Sequence, residues 1–78
     1  MAVGVVMMEQ PWRELVAELR QRPQDRTLRS AFKLRYGQLD KKRRDPDDPA
    51  GAERARLDIR FAYEQLRSVF DELTSAST

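Results

Sequence analysis

Prolines and the spacing of apolar residues constrain this chain to a few short helices. Proline occurs only at Pro11, Pro23, Pro46 and Pro49, and the interior of a helix does not tolerate this residue. Between these positions apolar residues recur three and four residues apart, which places them on one face of a helix. No stretch of useful length alternates in the manner of a strand, and no internal repeat is present. The sequence therefore predicts an all-α fold.

Three helices are predicted, and each has an apolar face. The first is expected near residues 10–21, the second at about 26–43 and the third at about 52–74, with a loop over 45–51. Gln24, Asp25 and Thr27 offer side-chain caps for the second helix. The apolar positions are Met8, Trp12, Leu15, Val16 and Leu19 in the first helix, and Leu28, Ala31, Phe32, Tyr36 and Leu39 in the second.

The third helix has the most regular pattern. Its apolar residues follow one another at intervals of 4, 3, 4, 3 and 4, and Tyr63 and Phe70 widen the stripe. These residues are Ala55, Ile59, Ala62, Leu66, Val69 and Leu73. This seam is typical of near-antiparallel packing on a neighbouring helix, so we expect a hairpin of the second and third helices with the first packed against it. The predicted core is Trp12, Leu15, Leu19, Leu28, Phe32, Leu39, Ile59, Ala62, Leu66, Val69 and Phe70.

The length and composition predict one small domain with no catalytic machinery. The 78 residues carry a net charge of +2 and contain no Cys and no His, which excludes disulfides, Cys/His zinc sites, thiol nucleophiles and imidazole chemistry. We expect residues 10–74 to form the domain and 75–78 to be disordered. Residues 1–9 are expected to be a loose apolar tail, or else a short docking segment for a partner. No signal peptide or membrane span is evident. The composition favours a cytoplasmic binding or regulatory module, with no metal, no cofactor and no enzymatic activity.

Basic charge is concentrated in the middle of the chain. Residues 21–44 hold nine basic and two acidic side chains, a net charge of +7, between segments of −1 and −4. Arg22, Arg26, Arg29 and Lys33 are spaced to lie on one helix face, and Lys41, Lys42, Arg43 and Arg44 extend the charge into the loop. A run of this kind is either a solvated face or a binding surface. We predict a binding surface for an acidic protein or a nucleic-acid backbone.

Three further residues have two readings each. Arg35 falls on the apolar side of the second helix, so we expect its stem to pack and its head to reach solvent, or the head to pair with Asp58. Leu57 and Phe61 lie off the apolar stripe of the third helix. They predict contact with the first helix or the tail, or else an exposed apolar patch for a partner.

The order of these motifs resembles the J domain of DnaJ-type co-chaperones. That family has a Tyr-Glu-Ile-Leu-like run in a first helix, an Ala-Tyr-Arg-like stretch in a basic second helix, and an Ile-x-x-Ala-Tyr-x-x-Leu pattern after an acidic loop that contains proline. The resemblance spans about residues 11 to 71. The residues that carry it are Trp12–Val16, Leu28–Lys33, the loop Asp45–Pro49, and Ile59, Ala62, Tyr63 and Leu66.

One motif of the J domain is missing. Active members carry His-Pro-Asp between the second and third helices, where it triggers ATP hydrolysis by the chaperone. The corresponding place here is Asp40-Lys41-Lys42 or Lys41-Lys42-Arg43, and neither contains the motif. The resemblance therefore implies a J-like protein without the trigger, such as a small assembly or regulatory factor of a chaperone system.

The leading functional hypothesis is a non-catalytic J-like adaptor or regulator. It would bind a DnaK-type chaperone or a J protein through the basic second helix, without stimulating its ATPase. One alternative is a helical hairpin that binds a nucleic-acid backbone. The other is a small homodimeric module held together by the seam of the third helix or by Leu57 and Phe61.

Overall fold

The computed structural model describes residues 12–74, and these residues form four α-helices and no strand. The helices are α1 (Trp12–Gln21), α2 (Arg26–Lys42), α3 (Pro49–Gln65) and α4 (Phe70–Thr74). The predicted all-α class is confirmed for this part of the chain. None of these helices combines the length and the apolar content needed to cross a membrane. The predictions for residues 1–11 and 75–78 lie outside the described residues.

Aspartates cap the two long helices. The carboxylate of Asp25 accepts a hydrogen bond of 3.1 Å from the N–H of Leu28 at the start of α2. Asp48 accepts one of 3.0 Å from the N–H of Gly51 at the start of α3. The loop predicted over 45–51 is shorter in the structure, because α3 already begins at Pro49. Proline is tolerated in the first turn of a helix, where its missing N–H would have no partner within the helix.

The prediction of one continuous helix over 52–74 is wrong. The third helix ends at Gln65, and Leu66 leaves the helical region with φ −119° and ψ 32°. Residues 66–69 form a turn, after which α4 begins. No glycine or proline lies in this stretch, so the break has no local signal and comes from packing. The turn directs the ring of Phe70 onto Phe32, edge to face, with the ring centroids 6.1 Å apart.

The core confirms most of the predicted apolar faces. Three predicted core residues, Leu39, Ile59 and Val69, are only partly buried and pack on its border. Ala31, expected on the apolar side of its helix, is exposed. The buried apolar residues are Trp12, Leu15, Val16, Leu19, Leu28, Phe32, Ala55, Ala62, Leu66, Phe70 and Leu73.

Side-chain contacts fix the relative directions of α1 and α3. At the start of α1, the indole Nε1 of Trp12 donates a 2.9 Å hydrogen bond to the carbonyl oxygen of Asp58. At its end, Arg20 donates one of 3.1 Å to Gln65. The residue nearer the start of α1 contacts the residue nearer the start of α3, and the later residue contacts the later one. The two helices α1 and α3 therefore run in the same direction.

Along α2 the order is reversed: its last residues contact the start of α3, and its first residues contact the helix that follows α3. Lys42, at the end of α2, lies 2.8 Å from Asp48 at the start of α3. Arg29, near the start of α2, lies 3.3 Å from Glu72 in α4. Hence α2 and α3 run in opposite directions, with one end of the pair joined by the 43–48 loop and the other covered by α4.

Candidate functional site

The predicted stripe of four cations on one helix face does not form. Arg22 precedes α2 and lies in the connection from α1. Its guanidinium is 3.5 Å from the carboxylate of Glu18 and 4.0 Å from that of Asp25. Pro23 and the Asp25 cap set the start of α2 at Arg26, so the helical spacing that the sequence suggests does not extend back to Arg22.

Arg29 is part of the fold and is not freely exposed. Its side chain is only 24% exposed, and its guanidinium pairs with Glu72 at 3.3 Å. The Nε atom is buried and has no hydrogen-bond partner within the described residues. Arg29 therefore does not belong to an exposed basic face with Arg26 and Lys33, since it joins α2 to α4.

Cations at the end of α2 are neutralised by nearby carboxylates. The two oxygens of Asp40 accept hydrogen bonds from Arg43 at 2.7 Å and Arg44 at 2.8 Å. Lys42 lies 2.8 Å from Asp48 and 3.6 Å from Asp45. These pairs give the stretch much less free positive charge than its sequence suggests.

The ion pair between Lys42 and Asp48 shifts the pKa of both groups. The hydrogen bond from Lys42, then that from the N–H of Gly51, lowers the pKa of Asp48 below its ordinary 3.8. The hydrogen bond to Asp48 raises the pKa of Lys42 above 10.5, against a smaller opposing effect of desolvation. Both groups are therefore charged at neutral pH.

The place expected for the His-Pro-Asp motif lies at the end of a helix. Asp40, Lys41 and Lys42 form the last turn of α2, and Arg43 caps it. Asp40 uses both carboxylate oxygens on Arg43 and Arg44. The carboxylate of Asp40 is therefore held between two arginine side chains.

Three of the eight predicted cations remain available. Arg26, Lys33 and Lys41 are exposed, and no carboxylate of residues 12–74 lies within 4 Å of any of them. Because Arg26 and Lys33 are seven residues apart, they lie on one side of α2 about 10 Å from each other. We define the outer face of α2 as Arg26, Ser30, Lys33, Leu34, Gly37 and Lys41, all of which are exposed.

Three members of this face were not predicted from the sequence, namely Ser30, Leu34 and Gly37. Leu34 is 69% exposed and is the most exposed large apolar side chain of the described residues. Apart from the adjacent residues and the backbone of its own helix, no atom lies within 4 Å of the position that a Cβ would take at Gly37, so a partner can approach the backbone there. The available signal was that Leu34 and Gly37 lie off the apolar face formed by Leu28 and Phe32.

Arg35 is exposed, and the prediction that its stem packs on the apolar side is wrong. Its guanidinium donates a 3.2 Å hydrogen bond to Gln38, and it makes no ion pair with Asp58. Arg35 lies about 60° around α2 from the buried Phe32, on the side where Ala31 is also exposed.

Leu57 and Phe61, for which the sequence left two interpretations open, have different environments in the structure. Phe61 is half-buried beside α1, and the guanidinium of Arg13 lies 4.8 Å from its ring centroid. The predicted contact with the first helix is therefore confirmed for Phe61. Leu57 is 51% exposed, which fits the patch reading for this residue.

Within residues 12–74, no group of three acidic side chains is placed to hold a metal ion together. Comparison with protein-family models, with curated proteins and with solved structures finds no match to this chain.

Proposed function

We propose that this chain is a non-catalytic docking module of J-like type. It binds an acidic surface of a DnaK-type chaperone or of a J protein through the outer face of α2, and it does not stimulate ATP hydrolysis. The basic α2, the acidic loop and α3 follow one another in the order that the resemblance implies. This order supports a J-like arrangement of the helices.

One observation carries the proposal: α2 presents three unpaired positive charges along its outer face. Arg26, Lys33 and Lys41 have no carboxylate partner among the described residues, whereas Arg29, Lys42, Arg43 and Arg44 do. An unpaired cation can attract a carboxylate of a partner without first breaking a bond within the chain. Such a surface increases the association rate and selects an acidic partner.

The same observation weakens the nucleic-acid alternative. A protein that follows a phosphate backbone neutralises several phosphates with free cations. Five of the eight predicted cations are paired with carboxylates of this chain. The three that remain suit a compact acidic patch on a protein better than an extended duplex.

Charge reversal on α2 tests the docking site. The variant Arg26→Glu/Lys33→Glu should bind the chaperone or J protein at least about fivefold more weakly, since two attractions become repulsions. Arg54→Glu/Arg67→Glu is the matched control, because both arginines are exposed and unpaired within residues 12–74 and lie outside α2. Isothermal titration calorimetry would measure both. Equal weakening in the control would show that only net charge matters.

Salt concentration provides a second readout. Between about 0.05 M and 0.5 M salt the screening length falls from about 14 Å to about 4 Å, so the parent complex should weaken. The charge-reversed variant should show a flatter dependence. If neither salt nor charge reversal changed the affinity, the binding site would instead lie on the apolar surface near Leu57 and Phe61.

A steady-state ATPase assay with the DnaK-type chaperone tests the catalytic half of the proposal. We expect no stimulation, because Asp40-Lys41-Lys42 offers none of the His-Pro-Asp chemistry. Stimulation comparable to that by a true J protein would overturn this part. Tight, salt-dependent binding to a generic duplex, with none to either protein, would replace the proposal with the nucleic-acid function.

A further inference from the structure

A groove separates α1 from α3 on the side of the molecule that α2 does not reach. Its volume is about 290 Å³. The lining residues all belong to these two helices and are Val16, Ala17, Arg20, Gln21, Phe61 and Gln65. Because α2 contributes none of them, the groove is a separate surface from the outer face of α2.

The floor of this groove is apolar. Val16 is fully buried beneath it, Ala17 is exposed at its edge, and Phe61 forms part of its wall. Leu57 lies one helical turn before Phe61 along α3 and is half-exposed. The apolar surface therefore continues from the groove along α3 to Leu57. A partner can cover a surface of this kind with aliphatic side chains.

Two guanidinium groups mark the rim. Arg13 stacks over the ring of Phe61 at 4.8 Å, and Arg20 donates its hydrogen bond to the neutral amide of Gln65 at 3.1 Å. Within residues 12–74, neither guanidinium has a carboxylate within 4 Å. Among the described residues, therefore, no carboxylate compensates either positive charge.

The spacing of these two arginines indicates the shape of the occupant. They are seven residues apart on α1, which puts them on one face about 10 Å from each other. Carboxylates seven residues apart on another helix have the same separation, and residues three and four positions after the first lie between them. This pattern is that of an amphipathic helix that lays its apolar face in a groove.

We propose that the α1–α3 groove is a docking site for a short acidic amphipathic helix of a partner protein. Aliphatic side chains of this helix cover Phe61 and Ala17, and carboxylates on either side of them pair with Arg13 and Arg20. The chain then has two binding surfaces facing different ways, one on α2 and one on α1 and α3. This site does not depend on the proposed chaperone docking and would bring a second protein to the same module.

A designed peptide provides the probe. It is a capped helical fifteen-residue peptide with glutamates seven positions apart and two adjacent leucines midway between them. Titrated into the isotope-labelled full chain, it should shift the backbone amide NMR signals of α1 and of the second half of α3, Ala17 and Gln65 included. A peptide with glutamines in place of the two glutamates should bind about 2- to 30-fold more weakly, because it loses two exposed ion pairs.

Ala17→Glu is the decisive variant. Its carboxylate would occupy the edge of the groove and lie within reach of Arg13 and Arg20, four residues before it and three after it. The peptide should then bind at least tenfold more weakly. Ala31→Glu is the matched control, since Ala31 is equally an exposed helical alanine but lies on α2. Circular dichroism and amide dispersion would show that both variants are folded.

The outcomes separate this site from the docking site on α2. Arg20→Gln should weaken peptide binding, whereas Lys33→Gln should leave it unchanged. Ala17→Glu should leave binding to the chaperone or J protein unchanged. Peptide-induced shifts that map to α2, equal effects of Ala17→Glu and Ala31→Glu, or no shift at about millimolar peptide would each overturn the proposal.

Discussion

The two ends of the α2–α3 pair are held together by different kinds of interaction. At one end α4 covers the core, and Phe70 contacts the rings of Phe32 and Tyr36 with centroid distances of 6.1 Å and 5.7 Å. At the other end the 43–48 loop is held on the surface by Lys42 and Asp48. Burial of apolar area depends little on pH and salt, whereas an exposed ion pair depends on both. The α4 end should therefore supply most of the stability.

The largest effect is expected from Leu66→Ala at the α4 end. Leu66 is 2% exposed at the point where α3 ends, and truncating a buried leucine costs about 2–5 kcal/mol. Domains of this size have total stabilities of about 5–15 kcal/mol. The melting temperature should fall by at least about 8 °C.

Leu57→Ala is the control for this substitution. It removes the same atoms from a side chain that is 51% exposed, so thermal unfolding should change little. If Leu66→Ala melted within a degree or two of the parent, the α4 end would not be the stabilising one.

A pair of glycine substitutions tests the loop end. A Cβ at Gly51 would collide with the carboxylate of Asp48 and lie 2.7 Å from Cε of Lys42, whereas one at Gly37 would meet open space. Gly37→Ala should stabilise the chain by up to about 1 kcal/mol. Gly51→Ala should leave it about 0.5–2 kcal/mol less stable than Gly37→Ala, because the Asp48 cap is displaced. Chemical denaturation measures both, and equal gains would mean that this cap contributes nothing.

The ion pair that joins α2 to α4 should have a smaller effect. Glu72 is exposed while Arg29 is largely covered, so Glu72→Gln should cost about 0.2–1 kcal/mol. Arg29→Glu should cost more, because it would place a second carboxylate beside Glu72 and lose the packed stem. Urea titration of both variants would check this order, and an unchanged stability of Glu72→Gln would show that Arg29 is held by packing alone.

The smallest effect is the pH dependence of the loop end. The lowered pKa of Asp48 means that the folded chain binds its proton less readily than the unfolded chain does. Its contribution is therefore present above the ordinary value of 3.8 and is lost as pH falls through the lowered pKa. The raised pKa of Lys42 has the opposite sign: its contribution is present below 10.5 and is lost as pH rises through the raised value.

Asp48→Asn should flatten the stability profile in the acid range. Stability measured by denaturation between about pH 2 and 6 would show it, with the parent as the reference. Identical acid profiles for parent and variant would contradict a stabilising role for the pair at the loop end.

The basic residues of α2 show which part of the surface charge can be predicted from sequence and which part cannot. Nine basic residues over 21–44 predicted a basic surface, and Arg26, Lys33 and Lys41 do provide one. The sequence could not show that Arg29 would meet Glu72, which lies 43 residues later and reaches it only through the turn at Leu66. The pairs within reach along the chain, such as Asp40 with Arg43, were readable from spacing alone.

The sequence by itself determined the all-α class, the capped start of α2 and most of the buried faces. These features depend on hydrogen bonds and side-chain spacing within three or four residues, so they are encoded locally. Only the tertiary structure decided that α3 ends at Gln65, that Arg35 is exposed and that Arg29 is covered. Each of these depends on how the helices pack, because burial and ion pairing are set by atoms that are far apart in sequence and adjacent in space.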